Sequence, residues 1–204
     1  MSKKKLFRGI TVAGIAAAFL GTALIPGIAA PKSASAVDDL KPIITTSDTT
    51  WKYNETNTDP AAGAADRLVW AKDGFTIPAE WKSAKGAFGF KQRGTPPRRI
   101  ESDNADGKTW TTRLASAPTA DGKENTKTYH FVTDVTLTKA QLDGADSFNA
   151  ELTVDDAAQV FVNGVKVGGV VDEKVEAAPE AQRNLMYAGA SNGAPVDAKI
   201  SIPK

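Results

Sequence analysis

Apolar and polar residues alternate with a period of two along much of this chain, and long apolar stripes at helical spacing are missing. From Tyr129 to Leu137, the residues Tyr129, Phe131, Val135 and Leu137 fall on one side, with His130, Asp134 and Thr136 on the other. That spacing predicts a half-buried strand. Phe148, Ala150, Leu152 and Val154 again share a face, opposite Asn149, Glu151 and Thr153, and predict a second strand. Val160-Phe161-Val162 runs into Asn163-Gly164 and out through Val165-Lys166-Val167. Asn-Gly supplies the two positive-φ positions of a type I′ turn, so a tight antiparallel hairpin is expected there. Val196, Ala198, Ile200 and Ile202 alternate with Asp197, Lys199 and Ser201 and predict a last strand.

The stretch from residue 37 to Thr128 is richer in Gly, Pro, Asp and Thr and reads as short strands joined by long loops. Leu40–Ile44 and Thr50–Tyr53 are expected as the first strands, and Asn57–Ala65 and Gly94–Gly107 as loops. Short helical turns fit Lys139–Leu142 and a part of Asp172–Arg183, and neither could cover a sheet. The pattern therefore predicts an all-β fold of short antiparallel strands, most economically a two-sheet sandwich of jelly-roll type.

The N-terminus has a different character. Lys3-Lys4-Lys5 and Arg8 precede a largely apolar run, Ile10–Ala30, and Ala34-Ser35-Ala36 follows. A basic start, an apolar centre and a small-x-small site describe a secretory signal peptide, expected as a helix and cut after Ala36. The alternative is a retained membrane anchor, against which Gly14, Gly21, Pro26 and Gly27 interrupt the run. The domain plan is thus 1–36 signal peptide and 37–204 β-sandwich module, a secreted or cell-surface bacterial product with no stable membrane span after cleavage.

Charge and composition then narrow the chemistry. The first 36 residues hold five of the 25 Lys+Arg and none of the 24 Asp+Glu, leaving 20 basic against 24 acidic residues. A mildly acidic chain offers no electrostatic footprint for nucleic acid. There is no Cys, and the single His is His130, so disulfide scaffolds and Cys/His zinc clusters are excluded.

Three motif near-misses fail on context. Gly189-Ala190-Ser191-Asn192-Gly193 has the letters of a nucleophile elbow, yet no His follows it and Pro195 plus a strand come next. Gly107-Lys108-Thr109 lacks the earlier glycine of a phosphate-binding loop, since Ser102 stands there. Asp103–Gly107 would place Ser102 first and Arg113 twelfth in a calcium loop, which excludes an EF-hand; a structural calcium ion has no motif to support it. Asp155 and Asp156 are adjacent and on a strand would point to opposite faces, so a turn-capping role is expected and not joint acid/base catalysis. No catalytic, cofactor-binding or metal-ligating residue is assigned. Trp51, Trp70, Trp81 and Trp110 are expected mainly as core.

Four segments, in this order, carry a family resemblance: Ser47–Tyr53 (SDTTWKY), Trp81–Phe90 (WKSAKGAFGF), the strand around Tyr129–Val135, and Leu152–Gly164 (LTVDDAAQVFVNG). Together they resemble galactose-binding-like β-sandwich modules, such as those preceding the catalytic domain in secreted bacterial calcineurin-like metallophosphoesterases. Asn184-Leu185-Met186 is similar to the Asn-Met segment that follows the hairpin in such modules. The resemblance implies a further closing strand beyond Ile200–Pro203, so the sandwich is expected to lack its last strand and the chain to be a fragment. The Asp, Asn and His ligands of the dimetal centre have no counterpart here.

Three readings follow. The chain is an accessory module whose partner is a downstream catalytic domain, or a free-standing binder of carbohydrate or cell-wall polymer, or an enzyme of unrecognised chemistry. No cofactor is expected in any of them, and reading the frame beyond Lys204 separates the first two.

Overall fold

Strands dominate the computed structural model, which describes residues 4–7, 10–18, 42–89, 91–93, 98–100, 104–105, 108–109, 111–114, 128–186 and 196–203. In chain order they are β1 (Lys4–Phe7), β2 (Ile10–Ala18), β3 (Thr50–Asn54), β4 (Lys82–Lys85), β5 (Phe88–Gly89), β6 (Lys91–Arg93), β7 (Arg98–Ile100) and β8 (Asn104–Ala105). After these come β9 (Lys108–Thr109), β10 (Thr112–Arg113), β11 (Tyr129–Val132), β12 (Val135–Leu137), β13 (Ser147–Val162), β14 (Val165–Val170) and β15 (Val196–Pro203). Three short helices, α1 (Lys139–Asp143), α2 (Glu173–Ala177) and α3 (Glu180–Arg183), and one 3-10 turn (Val69–Ala71) complete the described elements. The fold is all-β, and every strand pairing among the described residues is antiparallel except β5 with β10.

The main sheet runs β10-β5-β2-β11-β3-β4, with β13 joined to β2 and carrying β14 and β15. Sixteen-residue β13 is its spine. Its first half pairs with β15 over eight residues, from Ser147 opposite Pro203 to Val154 opposite Val196. Its second half pairs with β14 and turns through Asn163 (φ 50°) and Gly164 (φ 83°), the two positive-φ residues expected of the type I′ turn. The strand was expected to break at Asp155-Asp156. Instead it continues through them with a register shift between Asp155 and Ala157, because pairing with β2 holds the backbone extended on both sides of the irregularity.

Other expectations met mixed outcomes. α1 begins at a capping box in which the Thr138 hydroxyl accepts from the Gln141 amide (3.2 Å) and the Gln141 side chain accepts from the Thr138 amide (2.8 Å). Of the strand predicted over Leu40–Ile44, residues 40–41 lie outside the described residues and residues 42–44 are not strand, 43 and 44 being bends; Pro42 offers no ladder donor. The expected Gly94–Gly107 loop contains the short strands β7 and β8. Residues 10–18 form a strand where a leader helix was expected: β11 and β13 flank them, and an extended backbone satisfies both neighbours' amides and carbonyls. Among the described residues no helix is long and apolar enough to cross a membrane.

Apolar side chains pack on both faces of the sheet. On one face Trp51, Tyr53, Phe88, Phe131, Leu152, Val154, Val160 and Ile202 form the larger core. Tyr53 lies 5.9 Å from Phe131 in a stacked arrangement, and Phe88 lies 4.7 Å from Phe131. On the other face Val132 and Phe161 meet Trp70, Trp81 and Ala61, which come from the long connection between β3 and β4. Trp51, Trp70 and Trp81 are thus core residues, as expected; Trp110 lies outside the described residues.

Gly169 tests this packing. It sits in β14 at φ 143°, opposite Gln159, and a Cβ there would stand 1.9 Å from the Ala158 carbonyl oxygen. Gly169→Ala should therefore destabilise the fold by about 2 kcal/mol or more, seen as a lower urea midpoint. An unchanged midpoint would mean that the β13–β14 hairpin is not packed as described.

Candidate functional site

Two places in the described residues concentrate polar chemistry: a buried cluster around His130 and an open crevice beside the start of β3.

His130 belongs to β11, where alternation predicted a solvent-facing polar side chain. It is fully buried, as are all four residues of that strand. The reason is the β3–β4 connection, which lays Trp70 and Trp81 over this face. The Trp70 ring meets the imidazole edge-on at 5.1 Å, and the Trp81 ring lies at 6.4 Å. Neither imidazole nitrogen, nor the Trp70 indole N–H, makes a hydrogen bond of normal geometry. Burial lowers the His130 pKa to about 4, with the Asp59 charge and the nearby Asn184 main chain opposing only weakly. A neutral, enclosed imidazole has no path to a substrate proton and serves as a core aromatic.

A polar clamp beside this cluster holds the covering connection in place. Asp59 pairs with Arg67 and accepts from the Ala61 amide (2.8 Å) and the Asn184 side-chain amide (3.0 Å). Asn184 also donates to the Arg67 carbonyl (2.9 Å), and Arg67 donates to the Ala61 carbonyl (2.7 Å). Burial raises the Asp59 pKa, but the Ala61 amide, Asn184 and Arg67 outweigh it and hold the carboxyl below its ordinary value. Asn184, noted in sequence only as part of an Asn-Leu-Met segment, is therefore a tie between α3 and a loop more than a hundred residues upstream.

The crevice has a volume of about 460 Å³ and is open to solvent. It is lined by Thr49, Thr50, Thr133, Thr136, Asp134 and Gln141, with Pro42, Ile43 and Val135 as the apolar residues. Local bonds set this shape. The Thr45 hydroxyl donates to Asp48 (3.1 Å) and accepts from the Asp48 amide (3.0 Å), closing the turn before β3. The Thr133 hydroxyl donates to the Thr50 carbonyl (3.0 Å) and fastens the β11–β12 link to β3. Sequence reasoning singled out none of these residues as a site, since isolated threonines carry no signal until the fold gathers them.

The residues weighed earlier for catalysis do not converge. Asp155 and Asp156 lie within β13, not in a turn. Lys108-Thr109 is a short strand, and Thr112-Arg113, the next described element, is a strand as well. The Gly189–Gly193 segment lies outside the described residues, as does Asp103. Among the described residues, no three His, Asp or Glu side chains are grouped to hold a metal ion. Searches against family models, curated proteins and solved structures found no match.

The His130 environment predicts acid lability. Because the folded pKa lies below the ordinary 6.5, the contribution is complete above pH 6.5 and is lost as pH falls toward 4. The loss should approach about 3 kcal/mol. Denaturant midpoints measured from pH 7 to pH 4 should fall in the parent and fall less in His130→Phe; parallel curves would show that His130 is not the titrating group.

Proposed function

We propose that this chain is a non-catalytic accessory β-sandwich of galactose-binding-like type, serving a secreted or cell-surface hydrolase, most closely a metallophosphoesterase whose catalytic domain lies outside this chain. The observation that carries the reading is the fate of the single histidine. An imidazole enclosed by two indoles cannot ligate a metal or shuttle a proton to substrate. The long β13, its Asn163-Gly164 hairpin and the antiparallel pairing with β15 are what such a module would use as scaffold. An accessory role asks of the chain a rigid frame with ligand or docking residues on its loops, and the crevice lies among such connections.

Purified protein assayed with phosphomonoester and phosphodiester substrates in the presence of Mn²⁺ should show no turnover above buffer. Sequence immediately downstream of codon 204 should encode Asp- and His-rich metal motifs. Turnover by this chain, or a downstream region without such motifs, would refute the accessory reading.

A second reading is favoured by the crevice itself: a free-standing binder of carbohydrate or cell-wall polymer. A space of about 460 Å³ lined by threonine, aspartate and glutamine residues suits a polar, polyhydroxyl ligand better than an apolar one. Stabilisation by ligand in hundredfold excess over Kd is about 2.7 kcal/mol. A glycan panel screened by thermal unfolding should then give a rise for one member that Gln141→Ala and Asp134→Ala abolish. A rise that survives both changes would place binding elsewhere.

A further inference from the structure

Among the described residues, strand β2 is the only ladder connection linking three groups of strands of the main sheet, β13–β14–β15, β11–β3–β4 and β5–β10. On one edge it pairs with β13 over a long register, with Ile10 opposite Val160, Val12 opposite Ala158 and Ala17 opposite Val154. On its other edge the first part pairs with β11, with Ile10 opposite Phe131 and Val12 opposite Tyr129. The last part pairs with β5, with Ala16 opposite Gly89 and Ala17 opposite Phe88. The residues that border this slot are among the most buried of the chain: Tyr129, Phe131, Val154, Ala158 and Val160 are each no more than 2% exposed.

Such a slot is selective on physical grounds. Its walls present backbone donors and acceptors in the antiparallel sense, and leaving them unpaired in an apolar setting costs roughly 1–3 kcal/mol for each group. A charged residue entering between apolar neighbours would be penalised by desolvation. Ile10–Ala18, ITVAGIAAA, contains no charge and no proline; it opens with three β-branched residues and is otherwise small apart from Ile15. The same nine residues begin the apolar run, Ile10–Ala30, of the expected export leader. Cleavage after Ala36 would therefore separate this strand covalently from the strands it pairs with.

We propose that the space between β13 on one side and β11 and β5 on the other is a strand-binding groove, that Ile10–Ala18 is its occupant, and that this occupant stays bound without a covalent connection. Recognition is by β-augmentation on two edges at once: main-chain bonds give affinity and the apolar walls exclude charge. This inference does not depend on whether the module serves a hydrolase or binds carbohydrate.

The test uses the full chain carrying a protease site inserted after Ala36. After nicking, residues 1–36 should co-elute with residues 37–204 at the mass of one chain, with the thermal transition of the uncut protein retained. A labelled synthetic Ile10–Ala18 peptide with terminal lysines should exchange into the nicked protein. The same peptide carrying Ala13→Pro and Ala16→Pro should bind at least tenfold more weakly, because each proline removes a ladder donor. Separation of the fragment, with or without loss of the transition, would overturn the proposal. Equal binding of the proline peptide would overturn it as well, and elution at twice the mass would assign the slot to a second copy.

Discussion

Burial of β11 on both faces is the constraint from which the rest of this structure follows. A strand with Tyr129, His130, Phe131 and Val132 all enclosed must have apolar layers above and below and a paired neighbour on each edge. Its edges are met by β3 and β2. One face is met by Tyr53, Phe88 and the aliphatic row of β13, the other by Trp70 and Trp81. Removing any of these would expose either backbone polar groups or large aromatic area, and both are costly.

The layer over the second face is built from irregular chain and is held by polar bonds where regular secondary structure is lacking. The Asp59–Arg67–Asn184 clamp does this, since each of its members bonds to backbone as well as to another side chain. A loop so fastened can carry two tryptophans into a core without a strand or a long helix to support them. The polar groups of the clamp are thus spent on architecture.

The crevice and the buried cluster illustrate how differently sites arise. His130 drew notice in the sequence because it is the one residue of its type, yet its environment makes it an aromatic filler. Thr49, Thr50, Thr133 and Thr136 drew none, yet the β3–β12 region gathers them around one space. Residue identity alone pointed to neither place, because accessibility, and not side-chain type, decides whether a group can meet a ligand.

The sequence by itself determined the all-β character, the Asn163-Gly164 hairpin, the pairing-competent strand at 196–202, the helical turn at 139 and the core role of three tryptophans. These are local matters: alternation, turn chemistry and capping act within a few residues and need no partner to be recognised. Only the tertiary structure decided that β13 runs unbroken through Asp155-Asp156, that His130 is enclosed, that Asn184 ties to Asp59, and that residues 10–18 lie as a strand between β11 and β13. Each of those depends on what distant chain segments place alongside, and a polar residue on the outer face of a strand becomes a core residue once another segment covers that face.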